Sequence, residues 1–126
     1  MLAHRNPHEV YRRIDFDARV SAADPRELVT VCYEQLVGAL GSALWAHERG
    51  DNLLKSRSLT RAMAALTALQ MGIKGEGAVA DALHHIYTAA RHAMLDSVLN
   101  FDTPTIARVR QDFCEIAESM ARTIRN

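Results

Sequence analysis

The sequence predicts an all-α domain, an antiparallel up-down-up-down four-helix bundle behind an N-terminal arm with room for a short helix. Three observations predict it. Apolar residues recur at steps of three and four over four long stretches, without the strict alternation of a half-buried strand. Those stretches are separated by capping and breaking residues at Asp24-Pro25, Gly50-Asp51-Asn52, Gly72 to Gly77 and Thr103-Pro104. Alanine occurs twenty times against 6% aromatics, a composition that suits closely approaching helices better than a β-sandwich. At 126 residues and 14.0 kDa the chain is large enough for one core.

The first helix is expected over about residues 25–49. Asp24 offers a cap, Pro25 suits the first helical position, and Glu27 can reach back to the cap. Leu28, Val29, Cys32, Tyr33, Leu36, Val37, Leu40, Ala43 and Leu44 form its stripe, and Gly50 stops it. Val31, Ala39 and Trp45 widen that face, which suggests a second surface in need of cover. The second helix, 52–71, carries Leu59, Ala62, Met63, Leu66, Leu69 and then Ile73. The third, 77–99, carries Val79, Leu83, Ile86, Tyr87, Ala90, Met94 and Val98. The fourth, 104–125, has the cleanest division, with Ile106, Val109, Phe113, Ile116, Ala117, Met120 and Ile124 on one face and Arg108, Arg110, Gln111, Asp112, Glu115 and Arg122 on the other. Short connections force sequence neighbours to run antiparallel. The bundle thus occupies 24–126 and the arm 1–23, in which Val10, Tyr11 and Ile14 would share one face of a helical turn.

Charge and motif spacing exclude several functions. Lys plus Arg number 15, as do Asp plus Glu, so no bulk field holds a nucleic-acid backbone, and no nucleic-acid partner is expected. No signal peptide is visible and no stretch reads as long and apolar enough to span a bilayer, so a soluble cytoplasmic protein without stable membrane insertion is expected. Cys32 and Cys114 suit neither a zinc site nor a disulfide framework and read as buried thiols. Among the histidines, Asp81-Ala82-Leu83-His84 is half of a di-iron motif, too few ligands for a metal centre. No nucleophile has a base and orienting partner at sequence level, and no glycine loop follows a strand. No enzyme activity and no cofactor are expected. A histidine phosphotransfer-type signalling bundle using His84, His85 or His92 is the alternative reading, weakened because the Lys-Gly pair typical of that family is missing beside His92. A generic helical scaffold is the other.

The order of signals is similar to that of a known family. Tyr11 is followed nine residues later by Val20, then by Ala22-Ala23-Asp24-Pro25-Arg26-Glu27-Leu28 and Val31-Cys32-Tyr33-Glu34. Glu48-Arg49-Gly50-Asp51 and Gly77-Ala78-Val79-Ala80-Asp81-Ala82-Leu83-His84-His85-Ile86-Tyr87 continue the collinear match. This resembles FliS, the flagellar secretion chaperone family, with its Val-x-Thr-Ala-Ser-Pro-x-x-Leu, Leu-Tyr-Asp and Gly-Glu-Ile-Ala-x-Asn-Leu-x-x-Leu-Tyr segments. Ala82 stands where that family usually has Asn, Ala89 where a second Tyr is common, Ala22 where Thr is usual, and His8 where an apolar residue often precedes the arm Tyr.

The resemblance implies a cytosolic export chaperone that binds the disordered C-terminal segment of flagellin and prevents premature polymerisation. It further implies delivery to the type III export gate protein FlhA, with the arm tyrosine taking part, and contact with a flagellar regulator in some members. Ordering such a cargo costs about 1–2 kcal/mol per backbone unit, so a long apolar surface is required. The wide face of the first helix is the expected cargo surface. Tyr11, Ile14 and Val20 of the arm and Tyr33, Leu36, Leu40 and Tyr87 near a groove are the expected partner-binding residues. Leu36 and Leu40 read more readily as ordinary core side chains, whereas the hydroxyls of Tyr33 and Tyr87 require water or a partner. Tyr11 rests on the family match.

Overall fold

The computed structural model describes residues 10–12 and 25–125. Residues 10–12 form a helical turn, and four long helices follow: α1 (Pro25–Arg49), α2 (Asn52–Met71), α3 (Ala78–Leu99) and α4 (Thr103–Arg125). No strand occurs among the described residues. The helices run alternately up and down, with α1 flanked by α2 and α4, and α3 sits diagonally across the bundle and meets α1 through core side chains such as Tyr87. The α1–α2 contact is the most extensive and the α3–α4 contact the sparsest.

Helix boundaries follow the local chemistry. At the end of α1, Gly50 takes φ +69, and the amides of Gly50 and Asp51 bond the carbonyls of His47 and Ala46 at 3.2 and 2.9 Å, closing the last turn with a left-handed residue that glycine adopts without Cβ strain. Asp51 then caps α2 by accepting from the Leu54 amide at 3.0 Å. The fourth helix begins one residue earlier than expected. Its cap is Asp102, which accepts from the Thr105 amide at 3.3 Å, and Thr103 is already helical. The expected cap at Asp24 lies outside the described residues.

The core is built from Cys32, Tyr33, Leu36, Ala39 and Leu40 of α1, Ala62, Ala65, Leu66 and Leu69 of α2, Tyr87, Ala90 and Met94 of α3, and Ile106, Val109 and Phe113 of α4. Small residues let the helices approach closely. At Gly41 a Cβ would come within 3.1 Å of Arg110 Nε, whose guanidinium crosses α1 to donate to the Val37 carbonyl at 3.2 Å.

Three sequence expectations change. Helix α1, taken over Arg26–Arg49, is long and apolar enough to cross a membrane by length and composition, contrary to the reading that no stretch is. Its apolarity has a structural use, because it is buried against both α2 and α4 and needs an apolar face for each. For the same reason the wide face is occupied by the bundle itself, with Val31, Ala39, Ala43 and Ala46 buried and Trp45 left half exposed. Cys32 is buried as expected, whereas Cys114 is only half-buried.

Candidate functional site

Helix α3 carries two adjacent apolar stripes. Leu83, Tyr87, Ala90, Met94 and Ser97, at steps of four and three, face inward, and all but Leu83 are buried. The neighbouring register, Val79, Ala82, Ile86 and Ala89, has the same spacing but is exposed, and Ala93 at its end is half-buried. A third row, Arg91, Leu95 and Val98, points toward α2, because Arg91 donates to Thr67 Oγ1 at 2.7 Å and Gln70 Oε1 at 3.0 Å. Leu95 is 50% exposed, Val98 58% and Val79 76%. An apolar helix with so much unburied surface is the most marked departure from an ordinary bundle.

This corrects the stripe expected for the third helix. Val79, Ile86 and Val98 are exposed rather than inward, because α3 lies across from α1 and makes few contacts with its two neighbours. Val79, Ile86, Leu95 and Val98 are therefore the surface residues that sequence reasoning assigned wrongly or overlooked. The signal was present as the second three-four register beside the first. Ala82 and Ala89, where the related family carries Asn and Tyr, are exposed on that register, so both departures alter the surface and leave the packing intact.

At the end of the bundle where α1 and α3 begin, two cavities open. The larger, about 340 Å³, is lined by residues of all four helices, including Val29, Leu69, Ile73, Val79, Leu83 and Met120. The smaller, about 230 Å³, lies between α1 and α4 and is lined by Thr30, Glu34, Ala117, Glu118 and Ala121. Tyr33 and Met120 border both.

Tyr33 is 1% exposed and Tyr87 3%, and their hydroxyls hydrogen-bond to each other across the core. Phe113 stacks on Tyr87 at 5.9 Å and tilts against Tyr33 at 5.8 Å. Leu36 and Leu40 are wholly buried in the core, so of their two sequence readings the packing one holds and they present no surface to a partner. Tyr33 and Tyr87 are buried too, and they meet the site only as cavity walls. Tyr11 is 71% exposed while its neighbour Arg12 donates to Ser42 Oγ at 3.1 Å. Its ring is thus presented mostly outward. Ile14 and Val20 lie outside the described residues.

Burial raises the Tyr33 hydroxyl above the ordinary phenol range, and the hydrogen bond and charge interaction with Tyr87 push the same way. Burial also raises Tyr87, against the opposing effect of that hydrogen bond, and raises the Cys32 thiol. The folded chain therefore keeps these protons after the unfolded chain begins losing them near the ordinary values of 9.0 and 10.0. The contribution of these three groups to stability is constant below about pH 8 and falls as pH rises through 9 and 10, by up to about 1.4 kcal/mol per pH unit for each group. The urea midpoint is expected to drop clearly between pH 8 and pH 10.5, and the Tyr33→Phe/Tyr87→Phe chain to lose the part of that slope above about pH 10 while keeping the Cys32 share. Equal midpoints at the two pH values would contradict the burial account.

The histidines of α3, His84, His85 and His92, are exposed. Arg91, the basic residue beside His92, is engaged with Gln70 and Thr67, so it is not placed to stabilise a phosphoryl group there. Among the described residues no three His, Cys, Asp or Glu side chains are grouped to hold a metal ion. A family model described as "Flagellar protein FliS" matches residues 7–124. No match is found among curated proteins.

Proposed function

The chain belongs to the FliS family, whose members are non-enzymatic cytoplasmic chaperones of flagellin export, and from that premise we propose that it binds the disordered C-terminal segment of flagellin along the unburied apolar registers of α3 and the cavities at its start. The observation that carries this reading is α3 itself, whose apolar residues Val79, Leu95 and Val98 are at least half exposed. A disordered cargo that folds on binding must offset its ordering cost with apolar burial, and an exposed helix with residues at three-four spacing is a template for an amphipathic partner helix. Cover of the flagellin tail in this way keeps it from polymerising before export.

Delivery to the export gate protein FlhA is part of the same proposal, with the outward Tyr11 as the arm's contact. Arg12, the neighbour of Tyr11, is bonded to Ser42 on α1, and α3 lies diagonally across the bundle from α1, so a gate protein and a cargo can be held at once. A flagellar regulator is a further proposed partner that competes for the α3 surface.

The test is calorimetric titration with a peptide spanning the C-terminal segment of the flagellin from the same organism, beside flagellin truncated of that segment. Saturable binding with a large negative heat-capacity change is expected for the peptide and none for the truncation. Equal binding of intact and truncated flagellin would place the recognised segment elsewhere.

A further inference from the structure

The two cavities at the start of α3 share their walls in a way that specifies more than an apolar surface does. Tyr33, held by Tyr87 and Phe113, is a rigid partition, whereas Met120 is a half-buried, unbranched thioether on α4 that borders both spaces. The cavities therefore adjoin across Tyr33 and Met120, an arrangement that suits two side chains at i and i+4 on one face of a helix, which lie roughly 5–6 Å apart. Their contents differ. The larger is walled by Val29, Leu69, Ile73, Val79 and Leu83 with Lys74 and Glu76, of opposite charge, beside them, while the smaller has two acids, Glu34 of α1 and Glu118 of α4, both exposed.

We propose that these cavities are paired anchor pockets for two apolar side chains, one helical turn apart on the flagellin C-terminal segment, with Met120 the adjustable partition and Glu118 selecting a basic residue beside the second anchor. This deepens the proposed function and rests on it. The occupant is argued from continuity and charge. Val79 belongs both to the larger cavity and to the exposed α3 register, so a helix lying on that register reaches the cavity mouth without a break. The carboxylate of Glu118 favours a cationic neighbour on the incoming helix. An unbranched thioether at the partition changes rotamer cheaply, so anchors of different shape can be accepted.

The experiment titrates the full chain with the flagellin C-terminal peptide and compares Met120→Trp, which fills the partition, with Val79→Asp, which charges the rim at a position 76% exposed. Each is expected to weaken binding about tenfold or more with helical circular dichroism unchanged. Glu118→Lys is expected to weaken it severalfold and to flatten its salt dependence. If Met120→Trp does not fold, Val79→Asp and Glu118→Lys decide the matter alone. Absence of peptide binding by the unaltered chain would overturn the proposed function together with this inference. Normal peptide binding by the folded variants would overturn the inference only. Normal binding accompanied by lost self-association on sedimentation would assign the pockets to a second copy, and normal binding that rises on deletion of residues 1–19 would assign them to the chain's own N-terminal segment.

Discussion

Replacing Phe113 with Ala is expected to lower the stability of the bundle by about 3–5 kcal/mol. The ring is 1% exposed and joins Tyr33 of α1 to Tyr87 of α3 from its place on α4, so its loss leaves a cavity where three helices meet. A domain of this size has roughly 5–15 kcal/mol in total, and each kcal/mol moves its melting temperature by about 4 °C. The expected fall is therefore roughly 12–20 °C on thermal denaturation. Phe113→Leu, which keeps most of the volume, should cost under about 1.5 kcal/mol. A fall of less than about 3 °C for Phe113→Ala would show that the aromatic trio is not where the bundle is held. The same substitution loosens the Tyr33 wall of both cavities, so peptide affinity measured well below the new melting point is expected to fall as well.

The aromatic trio also shows how far the sequence could be read. Phe113 lay on a stripe with most charges of its helix on the other face, Arg110 being the exception that reaches α1 at the Val37 carbonyl, and such a pattern leaves few ways to pack. Caps and breakers placed the helix ends to within a residue or so, because Pro25, Gly50 and Asp51 act through their own backbone geometry and need no tertiary context. The hydrogen bond between Tyr33 and Tyr87 joins residues 54 apart in sequence. Periodicity announced only that both face inward; that each hydroxyl is the other's partner depends on the α1–α3 diagonal.

The candidate site was less legible for a physical reason. A three-four register states which residues share a face and says nothing of what lies against that face. The width of α1 and the two registers of α3 look alike in sequence, yet α1 has two helices to bury its width and α3 has sparse contact with its neighbours. Leu36 and Leu40 accordingly fell to the core, and Val79, Ile86, Leu95 and Val98 came to the surface. Tyr11 was singled out by resemblance rather than by pattern, and its exposed ring is compatible with a contact made to a partner instead of to the bundle.

The decisive test of the α3 surface is the double substitution Leu95→Gln/Val98→Gln. Both side chains are at least half exposed, so the folded bundle loses little. Glutamine is also a good helix former and adds no charge near the helix C-terminus, where a carboxylate would be unfavourable. In the bound state the accounting reverses. Covering the rest of a leucine and a valine contributes on the order of 1 kcal/mol each, and each replacing amide must be desolvated at a further cost of about 1–3 kcal/mol unless the cargo offers it a partner. The sum exceeds about 3 kcal/mol, so the affinity for the flagellin C-terminal peptide is expected to fall at least about a hundredfold, with melting temperature within about 2 °C of the unaltered chain. Leu53→Gln, an equally exposed apolar position on α2, should stay within threefold. If the double variant binds within threefold too, the row facing α2 takes no part in recognition and the cargo must lie on the Val79–Ala93 register alone. A hundredfold loss shared by Leu53→Gln would instead show that any exposed apolar residue contributes, and the surface would act by general stickiness rather than by a defined helix-on-helix fit.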